Sequence, residues 1–256
     1  MFKTKSIMED EIKYGQDNFS LPHDVISLPS RGIFYKPKKE TIKVGYLTAS
    51  DENILLSQNN KDGIINSLLR QKIYEPGFNV GDMLDCDVQA VLVFLRNSAF
   101  GPEYLFNITD PLTGKMFETS ILLDEINYLK PKHNPDEDGY FTYTLPKSNA
   151  NVKVKLLTMG EQQQIDRLTN EYPQGMVAPV VTKKLEKHIV ELNGSTDKAK
   201  ISQFINQMPI ADSKDLRKFL IDCEPKLDLE RTVIAPSGEK VVVNITFGVE
   251  FFRPFF

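Results

Sequence analysis

Tryptophan is absent from this chain of 256 residues, cysteine occurs twice and histidine three times. Cys86 and Cys223 are too few for a disulfide framework. Neither stands at zinc-ligand spacing from His23, His133 or His188. Both thiols therefore read as reduced and buried, in a reducing compartment. Also missing is any run near the roughly 18 consecutive apolar residues of a membrane span. The first residues, MFKTKSIMEDEIKYGQDNFSLP, carry acids where a signal peptide has its apolar stretch. A soluble protein of the cytoplasm, or of a particle assembled there, is expected, with no membrane contact. No excess of positive charge exists either: the formal net charge is −4, with acids and bases interspersed. That balance leaves no electrostatic footprint for nucleic acid. The glycines are isolated, so neither a P-loop nor a dinucleotide fingerprint forms. No cofactor and no metal are expected.

What is present is an ordinary globular composition, 41% hydrophobic and 26% charged, in a chain long enough for a sizeable core. Ile33-Phe-Tyr35, after a Pro-Ser-Arg-Gly turn, and Thr41–Leu47 read as two strands of a hairpin. Thr48-Ala-Ser-Asp51 has capping-box spacing and opens a helix. Ile65, Leu68 and Leu69 mark a second helix. Val88, Val91, Leu92 and Leu95 mark a core helix by their 0, 3, 4, 7 spacing. Tyr104–Thr109 and Met116–Leu123 flank the turn Asp110-Pro-Leu-Thr-Gly114 as a second hairpin.

The pattern then begins again. Val152-Lys-Val-Lys-Leu-Leu-Thr158 repeats the form of Ile42-Lys-Val-Gly-Tyr-Leu-Thr48, with an acid three residues after each Thr. Phe94-Leu95 stands as far before Pro111 as Phe219-Leu220 stands before Pro236. The expected fold class is α+β, β-hairpins packed with short helices in two related halves from an internal duplication. Residues 1–25 form a flexible arm, 26–129 the first half, 130–139 a linker, and 140–256 the second half. The second half adds a helical insertion: Leu185, His188, Ile189 and Leu192 on one helix closed by Asn193-Gly194, then Ile201, Phe204, Ile205 and Met208. Asp212 is expected to cap the helix that follows.

No catalytic constellation emerges. His188 lies on an apolar helix face, His133 in the linker and His23 in the arm. Acid pairs such as Asp51-Glu52 and Asp136-Glu137 read as cap and surface charges. The expectation is a non-enzyme. The oddest feature is the ending, Phe251-Phe-Arg-Pro-Phe-Phe256. Buried Phe contributes about 1.5–3 kcal/mol each, so the tail either folds into its own core or plugs into a partner. Phe251, Phe252, Arg253, Phe255 and Phe256 are the candidate partner-binding residues, with Arg253 at the rim of the contact.

Leu28-Pro-Ser-Arg-Gly-Ile-Phe-Tyr35, Leu47-Thr-Ala-Ser-Asp-Glu52, Ile189-Val-Glu-Leu-Asn-Gly194, Asp212-Ser-Lys-Asp-Leu-Arg217 and the closing Phe-Phe-Arg-Pro occur in an order that resembles a known family. It is that of baseplate-hub and hub-assembly, tail assembly chaperone-like proteins of T-even-type bacteriophages. The resemblance implies a late phage protein acting by protein–protein binding in building the central hub of the tail baseplate. Its partners would be other hub proteins, with the tape-measure protein a candidate and an oligomer compatible. It would act in the host cell cytoplasm, whether or not it stays in the virion. The alternatives are a nucleic-acid or packaging adaptor using the lysines of residues 36–43, and a hydrolase built on two convergent carboxylates in a deep pocket.

Overall fold

The computed structural model describes residues 22–56, 61–173 and 176–252. Strands β1 (His23–Ser27) and β2 (Thr41–Gly45) form the first antiparallel hairpin, with Ile26 opposite Ile42. Helices α1 (Ala49–Leu56), α2 (Lys61–Lys72) and α3 (Asp85–Phe100) follow. Strands β3 (Glu103–Thr109) and β4 (Met116–Leu122) pair across the turn at Asp110, and β5 (Tyr128–Leu129) is a short strand beyond them. Strands β6 (Phe141–Thr144) and β7 (Asn151–Val154) lead into α4 (Met159–Asn170), α5 (Val180–His188), β8 (Ile189–Leu192), α6 (Lys198–Gln207) and α7 (Ile210–Cys223). Strand β9 (Lys226–Leu227) pairs with β5, and β10 (Glu230–Ile234) with β11 (Lys240–Asn244). Every pairing is antiparallel and local helices pack against the hairpins, so the chain is α+β as expected.

Two apolar cores organise these elements. The first surrounds α3, whose Val88, Val91, Leu92 and Leu95 are all buried on the predicted face. The second joins β6–β8 to α5, α6 and α7 through Phe141, Val152, Val154, Leu185, Ile201 and Leu216. The cores do not divide at residues 130–139. Leu227, Val233, Ile245, Val249, Phe251 and Phe252 return to the first core, so the second core is built mostly from a stretch inserted between two parts of the first, with Leu84 and Cys86 added from the start of α3. The expected linker is also tied down. Lys132 N–H donates to the Asp222 carbonyl, His133 lies 4.7 Å from the Phe219 ring, and Asp136 and Asp138 pair with Lys153 and Lys36.

Four local readings need correction. Ile33–Tyr35 is not a strand; β2 pairs instead with His23–Ser27, whose first three residues belong to the expected arm, and Ile26 on that strand turns inward. Residues 28–35 form a turn with Arg31 and Gly32 at positive φ, and a Cβ on Gly32 would come within 2.0 Å of the Lys39 carbonyl oxygen. The helix expected to run to Leu192 stops at His188. The β-branched pair Ile189-Val190 continues as β8 because β7 offers it an edge, and Asn193-Gly194 closes a strand turn. At α1 the Asp51 carboxylate does reach back to the Thr48 N–H, at 2.6 Å, but the Thr48 hydroxyl donates to Asp51 as well. Among the described residues the full reciprocal box is seen at Thr158 and Glu161.

Asp212 is the fourth correction. It lies in the first turn of α7 rather than before it, and caps a different element. Its carboxylate accepts the backbone N–H groups of Lys147 and Ser148 in the β6–β7 turn. Asp87 does the same in the first turn of α3, accepting the Ser30 N–H and hydroxyl from the loop between β1 and β2, and the Tyr35 hydroxyl. Asp87 precedes Phe94 by the same interval that separates Asp212 from Phe219. Each half thus fastens its first hairpin to its core helix with one buried aspartate. This shared device is a likeness between the halves, not a demonstration of duplication.

Candidate partner-binding sites

The structure places Phe251 and Phe252 in the chain's own core, 1% and 0% exposed. The Phe251 ring lies 5.3 Å from Tyr104, 5.0 Å from Phe247 and 5.4 Å from Phe252. So placed, neither offers side-chain surface to a partner, which corrects their assignment as plug residues. The physical reason is the two-stranded β3–β4 sheet, which needs apolar cover that Phe251 supplies. Arg253, Phe255 and Phe256 lie outside the described residues.

Apolar surface is exposed elsewhere. Leu112 and Met116 are each 71% exposed at the tip of β3–β4, and Ile234 is 69% and Val242 57% exposed on the outward face of β10–β11. Inward residues of the same strands, Val233, Val241 and Val243, pack on the first core. The two tips are clasped: the Ser237 N–H and hydroxyl donate to Asp110, at 3.1 and 2.8 Å.

Between the two cores runs a cleft of about 540 Å³. Asp85, Cys86 and Gln89 reach it from the first turns of α3, Gln162 and Gln163 from α4, Lys184 and His188 from α5, and Glu224 and Lys226 from the α7–β9 connection. The walls are held by the Met159 N–H donating to the Met83 carbonyl at 2.7 Å and by Gln163 donating to Asn66 at 2.8 Å. Burial raises the Asp85 carboxyl above the usual range, against a hydrogen bond from Gln89. Burial also raises Glu224; Lys226 and Lys184 oppose the rise and the Asp85 charge adds to it. Burial lowers His188, against the hydrogen bond to the Lys155 carbonyl. Both cysteines are buried and unbridged, and burial pushes the Cys86 thiol up and Cys223 to about 12, which leaves little thiolate. Asp85 and Glu224 carried no sequence signal, because each is one acid among many and only the fold brings them to one cleft.

A family model described as T4 bacteriophage base plate protein matches residues 30–253. The chain belongs to that family. As a baseplate-family protein it interacts with other structural proteins of the phage. No curated protein and no solved structure matches it. No helix among the described residues is long and apolar enough to cross a membrane. Two lysines of the adaptor alternative, Lys36 and Lys39, form ion pairs with Asp138 and Glu75.

Proposed function

We propose that this baseplate-family protein is non-enzymatic and acts in the assembly or structure of the central hub, by binding other hub proteins, with the tape-measure protein as a candidate. The observation that carries the reading is the exposed apolar surface on the clasped hairpin tips, in a chain whose family builds baseplates. Apolar side chains left on a rigid, hydrogen-bonded pair of tips suit a surface that another protein covers. Arg253, Phe255 and Phe256, outside the described residues, stay candidates for partner contact on the sequence alone.

Co-expression with hub and tape-measure proteins tests it. Leu112→Ser with Ile234→Ser should weaken co-purification while leaving the melting temperature unchanged, and an undiminished yield of every partner would count against the tips. Deleting residues 253–256 scores the tail in the same assay.

One observation favours a second reading. Asp85 and Glu224 are two acids in a cleft, as a hydrolase needs. Both, however, are shifted upward, whereas an acid–base pair needs environments that push the two values apart. Turnover of polysaccharide or peptide-bond substrates that Glu224→Gln abolishes would reinstate it.

A further inference from the structure

Strand β11 leaves one edge of its hairpin open. Backbone bonds from the Ala235 N–H to the Glu239 carbonyl and from the Ile245 N–H to the Leu229 carbonyl bracket the β10–β11 ladder, at 2.8 and 3.1 Å. Hydrogen-bonded pairs alternate along an antiparallel ladder, so Val241 and Val243 direct their backbone groups at β10. Lys240, Val242 and Asn244 direct theirs away from it. Among the described residues nothing bonds those outward N–H and carbonyl groups.

Apart from Lys240 at one end, the strand lacks the usual protections of an edge. Residues 241–243 are all valine, with no proline, no bulge and no inward charge, and Val242 is 57% exposed. Val241 and Val243 pack on the first core, which fixes the face that the strand presents. The turn before it is held to the β3–β4 tip by Asp110 and Ser237. The opposite edge, on β10, is different: the edge-directed Glu230 carbonyl already accepts from Arg231 at 2.7 Å. A row of free N–H and C=O groups on a rigid apolar strand matches another extended strand, which a helix or a small ligand cannot replace.

We propose that a second copy of this chain covers the β11 edge, the two strands pairing antiparallel about a two-fold axis at Val242. The sequence is self-complementary in that register. Val242 meets its counterpart, and Lys240 of each copy meets Asn244 of the other. Every edge-directed group of the strand then finds a partner, and no like charges face each other. β-Branched valines suit such a pairing. The β10 edges left on either side are interrupted at Glu230, so the assembly closes as a dimer. Edge pairing leaves the outward side chains of Leu112 and Ile234 open to other proteins. The inference therefore goes beyond the hub reading and does not depend on it.

Sedimentation velocity of the full chain over a concentration series tests it, together with hydrogen exchange of the β11 amides at low and high concentration. A reversible monomer–dimer equilibrium is expected, with exchange at Val242 slowed as the dimer forms. Val242→Lys sets two lysines face to face on the axis and should weaken the dimer about tenfold or more. Val242→Pro removes an N–H that the hairpin itself does not use, and should abolish pairing. Melts at a dilution where the unsubstituted chain is monomeric check that both variants fold; should the proline variant fail, the lysine variant decides. A chain that is monomeric at every concentration overturns the inference. So does a dimer equally stable in the folded variants, or one that leaves exchange at Val242 unchanged. If hub proteins lose binding through Val242 while the free chain stays monomeric, a foreign strand takes the edge, and the inference falls. Dimerisation without hub co-purification counts against the hub reading alone.

Discussion

Asp110 and Ser237 meet across the chain, the carboxylate at one hairpin tip accepting both the N–H and the hydroxyl of the serine at the other, at 3.1 and 2.8 Å. The same carboxylate accepts the Leu112 and Thr113 N–H groups inside its own turn. One side chain thus shapes a turn and docks a second hairpin beside it. The exposed Leu112 and Ile234 are presented together only while that clasp holds.

The clasp should respond to acid. Burial alone would raise the Asp110 carboxyl, but the hydrogen bonds from Ser237, Leu112 and Thr113 outweigh it and hold it below its ordinary value. A carboxyl depressed in the folded state stabilises fully above its unfolded pKa of about 3.9 and loses that contribution as pH falls through the folded value. Asp110→Asn should flatten the stability profile below about pH 4, read by denaturant midpoints across pH. An unchanged acid limb would show that the clasp contributes nothing.

Asp87 anchors more than Asp212 does. Asp87→Ala removes the acceptor for Ser30 and Tyr35 in a fully buried setting, and should cost roughly 2–4 kcal/mol in urea unfolding. Asp212→Ala, which uncaps an exposed turn at Lys147 and Ser148, should cost about 1 kcal/mol. Both aspartates are themselves buried, so equal losses would contradict the difference in burial of their partners, Ser30 and Tyr35 against Lys147 and Ser148.

Lys72 and Asp51 form a buried ion pair of 2.5 Å, with side chains 6% and 2% exposed. Lys72→Met leaves the Asp51 charge stranded and should destabilise by about 3–5 kcal/mol. Adding Asp51→Asn should recover part of that loss, and a double-mutant cycle measures the coupling.

Phe252 is completely buried at the edge of the first core. Phe252→Ala should cost about 3–5 kcal/mol and lower the melting temperature of the isolated protein. A variant that melts normally would restore Phe252 to the list of partner contacts. By contrast, Leu112→Ser should change stability by no more than about 0.5 kcal/mol.

Much of the fold was legible because its signals are local. The α3 face, the β3–β4 hairpin and the Thr158 box all follow from spacing over a short stretch of chain. The errors fell where a distant element decides. Ile189 and Val190 suit helix or strand until β7 offers an edge, and the aromatic run Ile33–Tyr35 looks like a strand until Tyr35 is pinned to Asp87. The candidate site was least legible. Nothing near Asp85, His188 or Glu224 in sequence says that they will line one cleft.

The sequence by itself determined an α+β chain, two buried thiols, the pattern of hairpins and helices, and the resemblance to baseplate proteins. Periodicity, turn residues and caps act over a few residues, so they can be read along the chain. Only the tertiary structure decided that Phe251 and Phe252 close the first core, that Asp110 and Ser237 clasp two hairpins, and that Asp85 and Glu224 line one cleft. Burial and hydrogen-bond partners across more than a hundred residues depend on how the chain returns on itself, as from Asp110 to Ser237.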